Sequence, residues 1–170
     1  MKNYFIHKTA EISPMAKIGK GCKIWNDVQI RERAVIGENN ILGKGVYVDF
    51  DVIIGSNCKI QNYVCLFHGV KIEDGVFLGP HVCFTNNKTP RAINEKGELT
   101  TYADLHEKST LVKKGASIGA NCTIIAGVTV GEYALIGGGS VVTKNIPPYS
   151  LAYGNPARVH GKVDKNGNRI

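Results

Sequence analysis

Long apolar runs are missing from this 170-residue sequence. Nowhere do roughly 18 uncharged apolar residues follow one another, the length that a membrane span needs. The opening stretch MKNYFIHKTAEISP also lacks the apolar centre of a secretory signal. The expectation is a soluble, cytoplasmic chain with no membrane partner. The cysteines Cys22, Cys58, Cys65, Cys83 and Cys122 are odd in number and form no CxxC pair. That pattern suggests neither a disulfide framework nor a zinc ribbon, and the thiols read as reduced and packed. Basic runs interleaved with aromatics are absent too, which argues against nucleic acid as a partner. The formal charge of +7, from 21 basic and 14 acidic residues, favours some smaller anion such as a nucleotide or coenzyme. No Ser-His-Asp order, phosphate-binding P-loop or HExxH is present, so the familiar hydrolase and zinc-protease chemistries have no foothold and no metal is required.

What the sequence does contain is a six-residue period. Its leading residues are Ile6, Ile12, Ile18, Ile24, Ile30, Ile36, Leu42, Val48, Ile54, Ile60, Leu66, Ile72, Leu78 and Phe84, and it resumes through Val112, Ile118, Ile124, Val130, Ile136 and Val142. Four residues after most leaders stands a small or β-branched side chain, as at Ala34, Val52, Cys58 and Val82. Glycine often follows the leader directly, as at Gly19, Gly37, Gly55, Gly119 and Gly137, which reads as a turn needing unusual backbone angles. A helical period of 3.6 cannot produce this pattern, and plain strand alternation would not place a turn residue every six. A solenoid of short strands can, because stacked coils bury the leaders as ladders while pairing their backbones.

The distance from Phe84 to Val112 is not a multiple of six, so the coil must extrude a loop, placed at residues 89–111. A loop of that length without secondary structure is functional or disordered. Ile146-Pro147-Pro148 is expected to stop strand pairing, dividing the chain into a β-helix over 1–147 and a tail over 148–170 whose last eight residues fray.

The stretch IGANCTIIAGVTVGEYALIGGGSVV, residues 118–142, closely resembles the left-handed β-helix of hexapeptide acyltransferases. The resemblance implies an all-β, left-handed parallel β-helix with three hexads per coil, and the twenty hexads then make six to seven coils. The segments GVFLGPHVCFTNNKTPRA and LVKKGASIGANCTI are similar, more narrowly, to the nucleotide-sugar 3-N-acetyltransferases of bacterial surface-polysaccharide synthesis. The implied reaction moves acetyl from acetyl-coenzyme A to the amino group of a UDP- or dTDP-linked 3-amino sugar, in a homotrimer whose subunits share the sites.

By that resemblance Asn86, in Phe84-Thr85-Asn86, lies beside the sugar amine, with Phe84, Thr85, Asn87 and Arg91 as substrate neighbours. His68 and His81 stand two and three residues past their leaders and are further candidates for catalytic contact, although related sequences often carry an acidic residue where His68 stands. An amine can lose its proton to solvent before binding, so neither histidine is expected to be indispensable. His7, His106 and His160 are weaker candidates. For the coenzyme, small residues that let the pantetheine arm approach are Gly119, Ala120, Gly137 and Gly138, and the phosphates would meet Lys113, Lys144 and Arg158.

Three other functions compete: acetylation of a sugar hydroxyl, a metal-dependent carbonic anhydrase, and a non-catalytic assembly subunit. The first needs a base strong enough to activate a hydroxyl. The second needs close-set His ligands that His68 and His81 do not supply. The third has no use for the long loop or the Phe84-Thr85-Asn86 motif.

Overall fold

The structure is a computed structural model that describes residues 4–101 and 108–170. The chain winds as a left-handed parallel β-helix with three faces. Face A begins with β1 (Phe5–Ile6), face B with β2 (Glu11–Ile12) and face C with β3 (Lys17–Ile18), and β4 (Lys23–Ile24) returns to face A directly above β1. Most strands are two residues long. The first residue points outward and the second, the repeat leader, points into the core. Consecutive coils pair in parallel eighteen residues apart, as Ile60 does with Leu78 and Ile36 with Ile54. Each leader is enclosed by the leaders above and below, and burying such a side chain contributes about 1.5–3 kcal/mol.

Backbone geometry separates two kinds of corner residue. The left-handed conformation falls three residues after the leader, at Asp27, Arg33, Asn57, His81 and Asn121 among non-glycines and at Gly45, Gly69 and Gly127 among glycines. The glycines immediately after the leader are a different case, and the expectation that they supply unusual angles is corrected here. Gly19, Gly37, Gly55, Gly119 and Gly137 show no such φ. They are required by close approach: a Cβ on Gly19 would lie 2.5 Å from the Gly37 carbonyl oxygen, and one on Gly119 would lie 2.5 Å from the Gly138 nitrogen. One coil sits on the next with no room for a methyl group.

Face A carries eight parallel strands rather than the six or seven levels expected, because coiling continues past the prolines. Val142 is followed after four residues by Ile146, which bridges to Val130, and β21 (Ser150–Gly154) then pairs with β19 (Leu135–Ile136). Pro147 and Pro148 therefore do not stop the sheet. They sit at an exposed corner where no ladder N–H is needed. The tail does not fray either. β22 (Ala157–Lys162) folds back antiparallel on β21, Val163 is buried, and Val163 bridges to Arg169. The final turn is built by Asp164, whose Oδ1 accepts from the N–H groups of Asn166 and Asn168 at 2.9 and 2.8 Å. The polar run DKNGN is thus a hairpin turn with Gly167 at positive φ.

The extruded segment leaves after β14 (Cys83–Phe84) and rejoins face C at β15 (Thr110–Val112), whose Thr110 and Val112 pair with Val70 and Ile72. It is not structureless. Ile93 and Leu99 form an antiparallel bridge, and Asn94 closes the turn by accepting from the N–H groups of Lys96 and Glu98 at 2.9 and 3.1 Å.

Gly37→Ala places a methyl against Gly55 backbone atoms at 2.7 Å, so it is expected to cost about 1–3 kcal/mol by overpacking. Gly97→Ala meets nothing within 4 Å and suffers only from its φ of +79°, so about 1 kcal/mol is expected there. Chemical denaturation of both variants checks the order, and equal losses would contradict the close-approach account.

Candidate active site

Because one coil is eighteen residues, side chains that far apart stand in one vertical column. At the corner between faces B and C the column two residues past the leader reads Glu32, Phe50, His68 and Asn86, with Ala126 and Lys144 continuing it above the loop insertion. His68 and Asn86 are therefore on adjacent coils of the same corner. His81 is not with them. It lies at the corner between faces A and B, in the left-handed conformation, with its ring stacked on Tyr63 at 5.2 Å.

His68 is held from below. Its ring stacks on Phe50 at 4.3 Å, and Nδ1 lies 3.0 Å from the Phe50 carbonyl oxygen. A carbonyl accepts only, so Nδ1 carries a proton in that contact. Phe50 is flanked on the coil beneath by the guanidinium groups of Arg31 and Arg33, 5.5 and 5.7 Å from its ring centre. Arg33 forks onto Asp51 at 2.8 and 2.9 Å, and this holds the Asp51 carboxyl below its usual range. Arg31 bonds to Glu32 at 2.9 Å and reaches Asp49 at 3.4 Å. Its own proton is held more tightly than usual, first by the bond to Tyr47 and then by Glu32. Burial pushes the Tyr47 hydroxyl up, and that hydroxyl donates to Asp49 at 2.9 Å.

Above His68 the extruded segment begins. Asn86 is half-buried and has no hydrogen bond among the described residues, which leaves its amide available at the corner. Phe84 is fully enclosed in the core, so it supports the corner from within and does not line it, contrary to its expected place among substrate contacts. Thr85 is also committed, its Oγ1 accepting from the Ala126 N–H at 3.0 Å. Thr110, fully buried where the segment returns, accepts from the Gly127 N–H at 3.0 Å. Two threonines thus pin both ends of the insertion to adjacent amides of the next coil. Asn87 turns the chain by accepting from the Thr89 N–H at 2.9 Å. With Arg91, Ile93 and Asn94 it lines an open hollow of about 470 Å³ beside the Asn86 corner. His106 lies outside the described residues.

The coenzyme candidates divide among several places. Gly119, Ala120, Gly137 and Gly138 form a strip at the corner between faces A and B, closed at the top where the Tyr153 Cβ stands 2.9 Å from the position a Gly137 Cβ would take. Lys144 stands one face away on the Asn86 corner, Lys113 at the corner between faces C and A, and Arg158 on β22. Within one chain the structure does not gather these cations around the glycine strip. Arg31, Tyr47, Asp49 and Phe50 escaped sequence reasoning although they precede the Phe67-His68 turn by one or two coils, and the period itself was the signal that could have found them.

Residues 15–49, 51–86 and 109–144 match the bacterial transferase hexapeptide family of six repeats, and 33–66 match the hexapeptide repeat of succinyl-transferase. The chain belongs to the bacterial hexapeptide-repeat transferases. Over 54 residues, 32% of this chain and 28% of the relative, this hexapeptide-repeat transferase is 68% identical to dTDP-3-amino-3,6-dideoxy-alpha-D-galactopyranose 3-N-acetyltransferase of Aneurinibacillus thermoaerophilus. Over 164 residues, 91% of this chain and 36% of the relative, it is 31% identical to the bifunctional protein GlmU of Thermotoga petrophila. The chain thus spans about a third of the length of these curated relatives. Among solved structures, an N-acyltransferase from Bacillus cereus, described in complex with dTDP and coenzyme A, aligns with a TM-score of 0.64 at 17% identity. That alignment covers 95% of this chain and 81% of that one, and such a likeness speaks for the fold alone.

Thr110→Val keeps the shape of the side chain and leaves the Gly127 N–H without its acceptor, at an expected cost of about 1–3 kcal/mol. Urea denaturation of this hexapeptide-repeat transferase checks it, and an unchanged midpoint would mean that the insertion is held by other contacts.

Proposed function

We propose that the protein is an acetyl-coenzyme A-dependent N-acetyltransferase acting on a nucleotide-linked 3-amino sugar with a UDP or dTDP carrier. The observation that carries this reading is the stacking of Asn86 over His68 at one corner, beside a hollow formed by the insertion. The 68% identity to a dTDP-sugar 3-N-acetyltransferase over 54 residues supports the substrate class, and the net charge of +7 suits a diphosphate.

In this reading Asn86 holds the sugar amine, and the neighbouring Asn87 and Arg91 meet the rest of the substrate. Acetyl-coenzyme A supplies the thioester acyl group. As the new N–C bond forms and the C–S bond breaks, His68 Nε2 takes the amine proton and passes it to the departing sulfur, so that the coenzyme leaves as its thiol. His68 is thereby given a larger role than the residues alone suggested, because its Nδ1 is already engaged and its tautomer suits an acceptor. His81 stacks on Tyr63 at a different corner and is left out of this step.

For the coenzyme, Ala120 and Gly138 fit an extended chain lying along the corner: a Cβ on Gly138 would stand 3.2 Å from the Ala120 carbonyl oxygen, so that strip has no side-chain relief. Lys113, Lys144 and Arg158 are the candidates for its phosphates. The strip and the Asn86 corner lie at opposite edges of face B, so one chain does not close the site. Two copies packed edge to edge bring one copy's strip to the other's Asn86, which a homotrimer does three times over.

Asn86→Ala is expected to lower turnover about a hundredfold, the scale of losing one hydrogen-bond partner that acts in the transition state. Coenzyme affinity by calorimetry should be unchanged. Near-normal turnover on nucleotide-linked 3-amino sugars would move the amine site elsewhere. Light scattering at micromolar concentration is expected to give a trimer, and a monomer with full activity would defeat the shared-site reading.

A further inference from the structure

Two residues past the leader, most corners of the solenoid turn a backbone N–H away from the ladder, and the chain covers several of these with a side chain from the adjacent coil. Ser56 Oγ takes the N–H of Glu38 at 2.9 Å, Asn62 Oδ1 takes that of Lys44 at 3.0 Å, and Asp74 Oδ1 takes that of Ser56 at 2.7 Å. All three reach down to the preceding coil, and none is buried. Asp49 instead resembles Glu73 and Thr85, which reach up to the N–H groups of Lys114 and Ala126, but unlike the exposed Glu73 carboxylate it is buried. It reaches up, its Oδ2 accepting from the His68 N–H at 3.2 Å, and the residue is only 5% exposed. Its Oδ1 accepts from the Tyr47 hydroxyl and the Phe50 N–H, both at 2.9 Å, and from Arg31 at 3.4 Å.

A neutral Ser or Asn caps such an N–H equally well, as the other corners show, and burying a charge is costly unless it is paired and hydrogen-bonded. Asp49 is paired and fully bonded, and the donors it gathers are particular ones. They include the backbones of Phe50 and His68, the two residues whose rings stack and whose carbonyl and Nδ1 meet at 3.0 Å. One carboxylate therefore fixes the distance between the group that selects the tautomer and the ring that carries it. Arg31 and Tyr47 hold that carboxylate from the outer side.

We propose that Asp49 is a positioning residue for acetyl transfer, one that clamps the Phe50 and His68 backbones together so that the Phe50 carbonyl keeps a proton of His68 on Nδ1 and leaves Nε2 as the nitrogen that takes the amine proton. The inference rests on the reading of His68 as proton acceptor. Asp49 acts through His68 and does not itself touch the substrate.

The test uses the full chain and the single variants Asp49→Asn and His68→Ala, their double variant, and Tyr47→Phe as a milder change that removes only one donor. Turnover is measured with acetyl-coenzyme A and a nucleotide-linked 3-amino sugar, and the His68 tautomer is read by long-range proton–nitrogen NMR. Asp49→Asn is expected to lower kcat about 10- to 100-fold with KM little changed, by analogy with the range found when hydrogen-bond partners that orient metal-bound histidines are removed. It should also shift His68 away from the Nδ1–H form. Tyr47→Phe should show a smaller loss in the same direction. In the His68→Ala background neither change should lower kcat further, because residues that act as a unit are not additive. A loss of the same factor in both backgrounds, or an unchanged tautomer in Asp49→Asn, would overturn the proposal. If His68→Ala alone kept near-normal turnover, the proton-acceptor reading would fall instead, and the NMR result would still decide whether Asp49 sets the tautomer.

Discussion

Everything in this molecule depends on the close stacking of one coil on the next. Parallel strands lie about 4.8 Å apart, and at that spacing a position after the leader that meets backbone from the coil above has no space even for a methyl group. The glycine requirement at Gly37 and Gly119 follows from it, as does the ladder of buried leaders. A constraint repeated at every level also makes the chain quasi-one-dimensional, so each coil is held only by its neighbours. Side chains with the same place in the hexad then form columns, and a column at a corner is where outward-pointing groups accumulate.

The candidate site uses one such column and one break in the period. Glu32, Phe50, His68 and Asn86 are brought into line by the regular spacing alone. The insertion interrupts the coil just above Asn86, and it does so without opening the core because Thr85 and Thr110 supply oxygen to the amides of Ala126 and Gly127. Phe84, the single aromatic among the buried leaders before the insertion, fills the interior at the level where the chain departs. Regularity below and interruption above together make a concave corner out of a solenoid whose faces are otherwise nearly flat.

The fold was legible because the strict hexad from Ile6 to Phe84 has no other physical solution, and the handedness came with the resemblance carried by residues 118–142. Details governed by contact between coils were not legible. Glycine after a leader looks the same in sequence whether φ or proximity demands it, and only the neighbouring coil tells them apart. The tail is not legible because Pro147-Pro148 and DKNGN are punctuation in isolation, whereas Val142 to Ile146 is a shortened step after which the ladder resumes. For the site, the sequence names residues one by one, but their grouping requires the column: His81 separates from His68 by a whole face, and Asp49 joins it.

A scaffold this repetitive gives its departures a meaning that they lack in an irregular fold. A break in period or a charge under the surface loses contacts that every other coil keeps, so it persists only where other groups compensate. The shortened step after Val142 is compensated by Asn145, whose Oδ1 accepts from the Thr129 N–H at 2.8 Å. The insertion is compensated by its two threonines, and the buried Asp49 by its four donors. All three departures fall on the corner between faces B and C, while the corner between faces A and B keeps its regular glycine strip. Under the proposed function, the irregular corner is therefore the one to discriminate the substrate, and the regular corner, with its uniform surface, the one to take a long, flexible cosubstrate that binds without being read closely.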